Sequence, residues 1–261
     1  MLKVRSPAVA GHFYPGQPDA LTRTIRDYLA EASVAVPPPK ALIVPHAGYP
    51  YSGPIAASAY ATLAPLRSIV TRVVLLGPAH RVLVHGLATS RAERFDTPLG
   101  SVRLDRATID QALTWPGVVA MDEAHAHEHS LEVQLPFLQQ VLADFELVPF
   151  VVGEAPRGQV ADVLERLLGG PETLIVVSSD LSHYLDYATA RRVDAKTTKA
   201  IEQLQPDEIG PEQACGCRAI GGLLELARRR GLIARTLDLR NSGDTAGPRD
   251  RVVGYGAYVF H

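Results

Sequence analysis

The sequence predicts a single α/β domain over residues 1–261, built on a central mixed, largely parallel sheet flanked by helices. Three observations carry this. The apolar runs 42–44 (Leu-Ile-Val), 73–76 (Val-Val-Leu-Leu) and 174–177 (Leu-Ile-Val-Val) read as buried strands. Segments with apolar residues at helical spacing alternate with such runs, the signature of strand–helix–strand units. Each of the three runs also leads directly into polar residues that include a histidine: Pro45-His46-Ala47-Gly48-Tyr49, Gly77-Pro78-Ala79-His80, and Ser178-Ser179-Asp180-Leu181-Ser182-His183. If the strands lie parallel in one sheet, their carboxyl ends share an edge, which is where open α/β sheets place ligands.

The remaining elements follow in order. Residues 7–16 mix turn formers with aromatics and read as an ordered entry loop. Leu21, Ile25 and Leu29 mark a helix over 18–31, which the run Val36-Pro37-Pro38-Pro39 cannot continue. An alanine-rich helix over 54–63 joins the first two histidine strands. A turn-rich centre within 95–105 predicts a hairpin or arm laid against the sheet. Ser130 is a candidate cap for an apolar helix over 131–138, and a strand over 147–152 and a helix over 160–168 come next. Helices over 187–204 and 211–229, the second containing Cys215, precede closing strands at 236–239 and 252–260. Arg228-Arg229-Arg230 before Gly231 reads as a helix end, where cations suit the dipole and glycine caps the turn.

A hydrophobic content of 46% in 261 residues supports a large core. The formal net charge of −2 leaves no basic excess for a phosphate backbone, so nucleic acid is not an expected partner. Residues 1–7 lack the apolar core of a signal peptide, and no later run approaches a membrane span. The cysteines, Cys215 and Cys217, are too close in sequence for an ordinary disulfide framework and do not form a CxxC pair. A cytoplasmic protein without membrane attachment or nucleotide cofactor is the expectation.

His46, His80 and Cys215 form a candidate metal set, because imidazole and thiolate suit iron, copper or zinc better than magnesium or calcium. The competing reading is ordinary hydrogen-bonded histidines at strand ends. Asp180 and His183 can share one face of a turn and act as an acid/base pair, or Asp180 can simply cap a helix. Cys215 near a helix start would favour thiolate, although a small buried cysteine is the common alternative. Cys217 is rotated roughly 200° from it on an ideal helix and is not expected at the same site. Of the cluster His125, His127 and His129, the first two are expected at the surface. His129, which enters an apolar helix, can reach the cleft.

Taken together, Pro45-His46-Ala47-Gly48-Tyr49, Gly77-Pro78-Ala79-His80, Glu128-His129-Ser130-Leu131-Glu132, Ser178-Ser179-Asp180-Leu181-Ser182-His183-Tyr184 and Cys215-Gly216-Cys217-Arg218-Ala219-Ile220-Gly221 resemble the Memo protein family, labelled in prokaryotes AmmeMemoRadiSam system protein B. The resemblance runs in order from about Pro7 to Val253-Gly254-Tyr255-Gly256-Ala257. It implies a fold related to the class III (LigB-type) non-haem iron extradiol dioxygenases, with a metal cleft at one sheet edge. It further implies that His46, His80 and Cys215 stand at the metal positions, that Asp180 and His183 line the same pocket, and that His183 sits like the dioxygenases' acid/base histidine. Those dioxygenases use two histidines and a carboxylate, whereas here the third position falls to Cys215, so ring cleavage does not carry over with the fold.

Three functions compete at this stage. The first is an iron(II)- or copper-dependent oxidoreductase with a small-molecule substrate, in which His183 and Asp180 handle protons and Tyr49, His129 and Tyr184 line the pocket. The second is a non-catalytic module that binds a peptide or protein in the same cleft, and the family label suggests a radical-SAM protein as partner. A zinc hydrolase ranks third, because a thiolate ligand lowers the acidity of the metal.

Overall fold

The structure is a computed structural model that describes residues 3–32 and 36–261. Met1 and Leu2, part of the amino-terminal stretch considered above for a leader, lie outside the described residues. The strands are β1 (Val4–Arg5), β2 (Ala41–Val44), β3 (Arg72–Pro78), β4 (Leu87–Thr89), β5 (Arg94–Thr97), β6 (Gly100–Leu104), β7 (Val118–Ala120), β8 (Glu146–Val152), β9 (Thr173–Ser178), β10 (His183–Leu185), β11 (Ala234–Asn241) and β12 (Val252–Phe260). The helices are α1 (Pro18–Glu31), α2 (Tyr49–Tyr60), α3 (Arg106–Ala112), α4 (Asp122–Ala126), α5 (Leu135–Val141), α6 (Arg157–Leu167), α7 (Tyr187–Glu202) and α8 (Cys217–Arg230). One sheet orders the strands β1-β5-β6-β8-β3-β9-β2-β12-β10, with β11 beside β12 and β4 beside β8.

The centre of that sheet is parallel: β8, β3, β9 and β2 run in one direction. Every residue of β2 and β9 is buried, as continuous apolar runs covered by helices on a parallel sheet should be. The last of the four in sequence, β9, is inserted between β3 and β2, so the chain order reverses there and a crevice opens beyond the strand ends. Register aligns those ends. Val44 is level with Ser178, and Val177 with Leu76. The antiparallel strands at the margins make the sheet mixed. The expected arm is the β5–β6 hairpin, whose second strand extends the sheet alongside β8.

Helices α1, α2 and α5 pack as one group, while α6 and α8 pack on each other, with α8 also meeting β3 and β9. In α1, Leu21 and Ile25 are fully buried, as their spacing predicts. Helix α8 ends on the three arginines, with Gly231 in the left-handed region at φ 68°. Among the described residues no helix is long and apolar enough to cross a membrane.

Three local expectations differ from the structure. Helix α2 begins at Tyr49 rather than near residue 54, tolerating Pro54 one turn in. Ser130 caps no helix: its Oγ donates to the Pro78 carbonyl at 3.0 Å, and a 3-10 turn over Glu132–Gln134 leads into α5. His125 is buried, not at the surface, because Arg5 reaches over its segment and donates to the His125 carbonyl. The His125 Nε2 pairs with the Ala88 carbonyl at 2.9 Å, whereas His127 is exposed, as expected.

A buried ionic knot holds the entry segment against this region. Glu132, 1% exposed, accepts from Arg5 Nη1 (2.6 Å), the Tyr14 hydroxyl (2.6 Å) and the amides of Ala8 (2.7 Å) and Val9 (2.9 Å). Burial, and then the adjacent Glu132 charge, push the Tyr14 hydroxyl well above its ordinary pKa, so it stays a donor. Replacing the carboxylate with a methyl leaves the buried Arg5 guanidinium without its counter-charge, and the Tyr14 hydroxyl and two amides without an acceptor. Glu132→Ala is therefore expected to lose about 3–5 kcal/mol in urea unfolding; a loss below about 1 kcal/mol would contradict this account.

Candidate metal centre

Two residues beyond the aligned strand ends come His46, His80 and Asp180, each leaving a different neighbouring strand. The ligand atoms of His46, His80 and Cys215 lie within 4.8 Å of one another. Cys215 Sγ is 3.4 Å from His46 Nε2 and 3.7 Å from the Asp180 carbonyl oxygen. Cys215 arrives from across the sheet, in the turn before α8. A Cβ on the next residue, Gly216, would sit 2.7 Å from Ser179 Cβ and 3.0 Å from the Ser178 carbonyl oxygen, so only glycine lets this turn approach the β9 end so closely.

Hydrogen bonding decides which imidazole nitrogens face the centre. Ser178 Oγ donates its single proton to the Ser130 carbonyl at 2.6 Å and accepts from Gln134 Nε2 at 2.8 Å. Its 2.9 Å contact with His46 Nδ1 must then be donated by the ring, which leaves His46 Nε2 with a free lone pair. His80 is oriented likewise by Glu128, whose Oε1 is 2.9 Å from Nδ1. That carboxylate also accepts from the amides of His80 (2.7 Å), His129 (2.9 Å) and Ser130 (2.9 Å). Burial alone would raise the Glu128 carboxyl, but the His80 hydrogen bond and charge, with these amides, outweigh it and hold it at about 2. A carboxylate behind a histidine is a common outer-shell arrangement at metal sites.

Two of the rings are held neutral. Burial, followed by the neighbouring His80, depresses the His46 pKa to about 3. His129 is lowered to about 4 by burial and then by His46. Asp180 is raised by burial; its Oδ1 accepts the His46 amide at 2.7 Å, while Oδ2 lies 4.0 Å from His46 Nε2.

His46, His80, His129 and Asp180 line a cleft of about 640 Å³ together with Phe13, Tyr51, His183 and Tyr184, while Cys215 lines a second pocket of about 210 Å³ with Pro78 and Ala79. His183 arrives by a hairpin-like return, pairing in β10 with Val253 of β12. Asp180 and His183 thus meet through a sheet edge and not through a helical turn. His129 stacks on His80, with ring centroids 4.8 Å apart. Tyr49, expected in the pocket wall, is buried instead, with its hydroxyl donating to the Val133 carbonyl at 2.8 Å. The helix begun at Tyr49 turns that ring into the core and leaves Tyr51, 41% exposed, at the cleft. Cys215 precedes α8 rather than lying within it, and burial, with the Asp180 charge, pushes its thiol up to about 12 instead of favouring thiolate. Cys217 is not in the ligand set.

Sequence reasoning assigned no role to Ser178, Gln134 or Glu128. A serine directly before Ser179-Asp180 and a glutamate directly before His129 were visible, but nothing local announced partners 44 to 48 residues away.

A family model described as Memo-like protein matches residues 5–259. The chain belongs to the Memo family. A MEMO1 family protein of Aeropyrum pernix is 38% identical, covering 98% of this chain and 99% of its own length. Another MEMO1 family protein, from Aquifex aeolicus, is 35% identical over 99% of this chain and 100% of its own. The crystal structure of an uncharacterized protein from Escherichia coli K12 superposes with a TM-score of 0.53 at 15% identity, covering 84% of this chain and 98% of that one. That likeness concerns the fold alone.

Two outcomes follow for this Memo-family site. Because the thiol is protonated while His46 is already neutral, metal uptake must expel the Cys215 proton. Zinc affinity measured by competition with a chelator is expected to rise about tenfold per pH unit between roughly pH 7.5 and 9, and to lose that slope in Cys215→Ser. Ser178→Ala, which removes the acceptor that orients His46, is expected to weaken metal binding by about 10–100-fold with little change in fold by circular dichroism.

Proposed function

We propose that this Memo-family protein is a metal-dependent oxidoreductase acting on a small molecule, with iron(II) as the preferred metal and copper or zinc as competitors for the site. The observation that supports this best is the convergence, within 4.8 Å, of one thiol and two imidazoles that line an open cleft, each ring held through its Nδ1. This donor set fits iron, copper or zinc and is too soft for magnesium or calcium. When bound, such a metal supplies Lewis acidity and, for iron or copper, one-electron chemistry.

The chain's own residues would do the rest. His46, His80 and Cys215 would hold the metal from the sheet side and leave its cleft side to a substrate. Ser178 and Glu128 keep the two rings turned so that neither can swing away. His183, partly exposed on the cleft wall, is placed to take a proton from a bound substrate or return it. Asp180 has one oxygen committed to the His46 amide and the other beside the ligand atoms. With its carboxyl raised by burial, it is suited to sharing a proton with a group bound there. Cytoplasmic residence belongs to the same reading, since a free thiol ligand requires a reducing compartment.

Elemental analysis of protein purified and reconstituted without oxygen tests this. About one equivalent of iron or copper, lost in both His46→Ala and Cys215→Ser, together with oxygen consumption by the reduced wild type, is the expected result. Protein that refuses iron(II), copper(I) and zinc, or whose loaded form is inert to oxygen, would overturn the proposal.

A further inference from the structure

We infer that the cleft takes a small planar organic anion, its negative group held by Arg81 and Arg251 and its body against Tyr184, with the far end towards His46 and His80. This names the substrate class for the oxidoreductase reading above and rests on it for the orientation of the ligand.

Charge is the first ground. Arg81 and Arg251 both line the cleft, and the one carboxylate in its lining, Asp180, is 4% exposed and committed to the His46 amide. Asp180 and Glu128 face His46, His80 and His129, and among the described residues no ion pair engages either arginine. Burial keeps His46 and His129 neutral, so those two rings do not add to this charge. Two guanidiniums facing one cleft without a carboxylate between them form a ready anion receptor.

Backbone strain is the second ground. Tyr184 has φ 60°, the left-handed region that a bulky residue rarely enters. The conformation buries nothing in return, because the residue is 64% exposed. What it achieves is to stand an aromatic ring at the cleft mouth, where the Arg251 guanidinium carbon lies 5.2 Å from the ring centroid. Ring and cation are thereby presented together, one for a flat apolar body and the other for its charge. Phe13, Tyr51 and Tyr255 line the same space, and a volume of about 640 Å³ suits one small organic molecule.

The test is titration calorimetry on the full chain, metal-free and reconstituted, with 2-naphthoate, 2-naphthyl phosphate and the neutral 2-naphthamide. Naphthoate or the phosphate should bind at least tenfold more tightly than the amide in at least one form, and their ratio distinguishes a carboxylate from a phosphate ligand. Arg81→Ala and Arg251→Ala should each weaken the anion by roughly tenfold, the scale of one charge-assisted hydrogen bond, while amide binding stays within twofold. The variants Arg81→Gln and Arg251→Gln, which keep most of the side chain, should behave alike, and thermal midpoints matching wild type verify folding. Equal affinity for anion and amide, no anion binding in either form, or anion affinity unchanged in the folded variants would each overturn the inference. Metal content is read separately. Anion selectivity in protein that refuses metal would remove the oxidoreductase reading and keep the receptor, whereas stoichiometric metal without anion selectivity would do the reverse.

Discussion

The insertion of β9 between β3 and β2 is the constraint on which the rest of the molecule depends. It aligns three parallel strand ends so that His46, His80 and Asp180 leave the sheet side by side. His46 and His80 leave strands on either side of β9, about two strand spacings or roughly 10 Å apart, so their side chains must reach towards each other past the β9 end before their ligand atoms come within 4.8 Å. Covering helices keep water from the strands, and the polar groups at their ends must therefore find partners in one another. The site is in this sense what remains when a buried parallel sheet stops.

Orientation comes from a second set of contacts. Ser178 has a single proton, and its donation to the Ser130 carbonyl determines the tautomer of His46. Glu128 performs the corresponding task for His80 while accepting amides of its own segment. Both devices rely on the stretch from His125 to Gln134, which is held in place by Arg5 and Glu132. A chain of buried polar contacts thus runs from the entry strand to the ligand atoms, and each member satisfies groups that would otherwise be costly to bury.

Much of this was legible beforehand. The strands carrying His46, His80 and Asp180 announce themselves as unbroken apolar runs, since buried parallel strands need no alternation. Helix α1 and the β5–β6 hairpin followed from periodicity and turn chemistry, and ligand chemistry, joined by the family resemblance, offered Cys215 as a partner for the two histidines. Other features were hidden by long-range packing. Tyr49 resembles a cleft aromatic until the start of α2 turns it inward, and His125 looks like a surface residue until Arg5 closes over it. Of the two readings of Cys215, the structure favours the buried cysteine: burial and the Asp180 charge outweigh the Gly216 amide beside the start of α8.

The sequence by itself determined the central strands, most of the helices and the residue types able to hold a metal, because apolar periodicity and ligand chemistry are local properties. Tertiary structure alone decided which nitrogen of each imidazole faces the centre, that Glu128 and Ser178 hold those rings, and that Arg81, Tyr184 and Arg251 share one cleft. These depend on contacts between residues tens to more than a hundred positions apart, whose proximity follows from strand order and register and leaves no periodic trace in the chain.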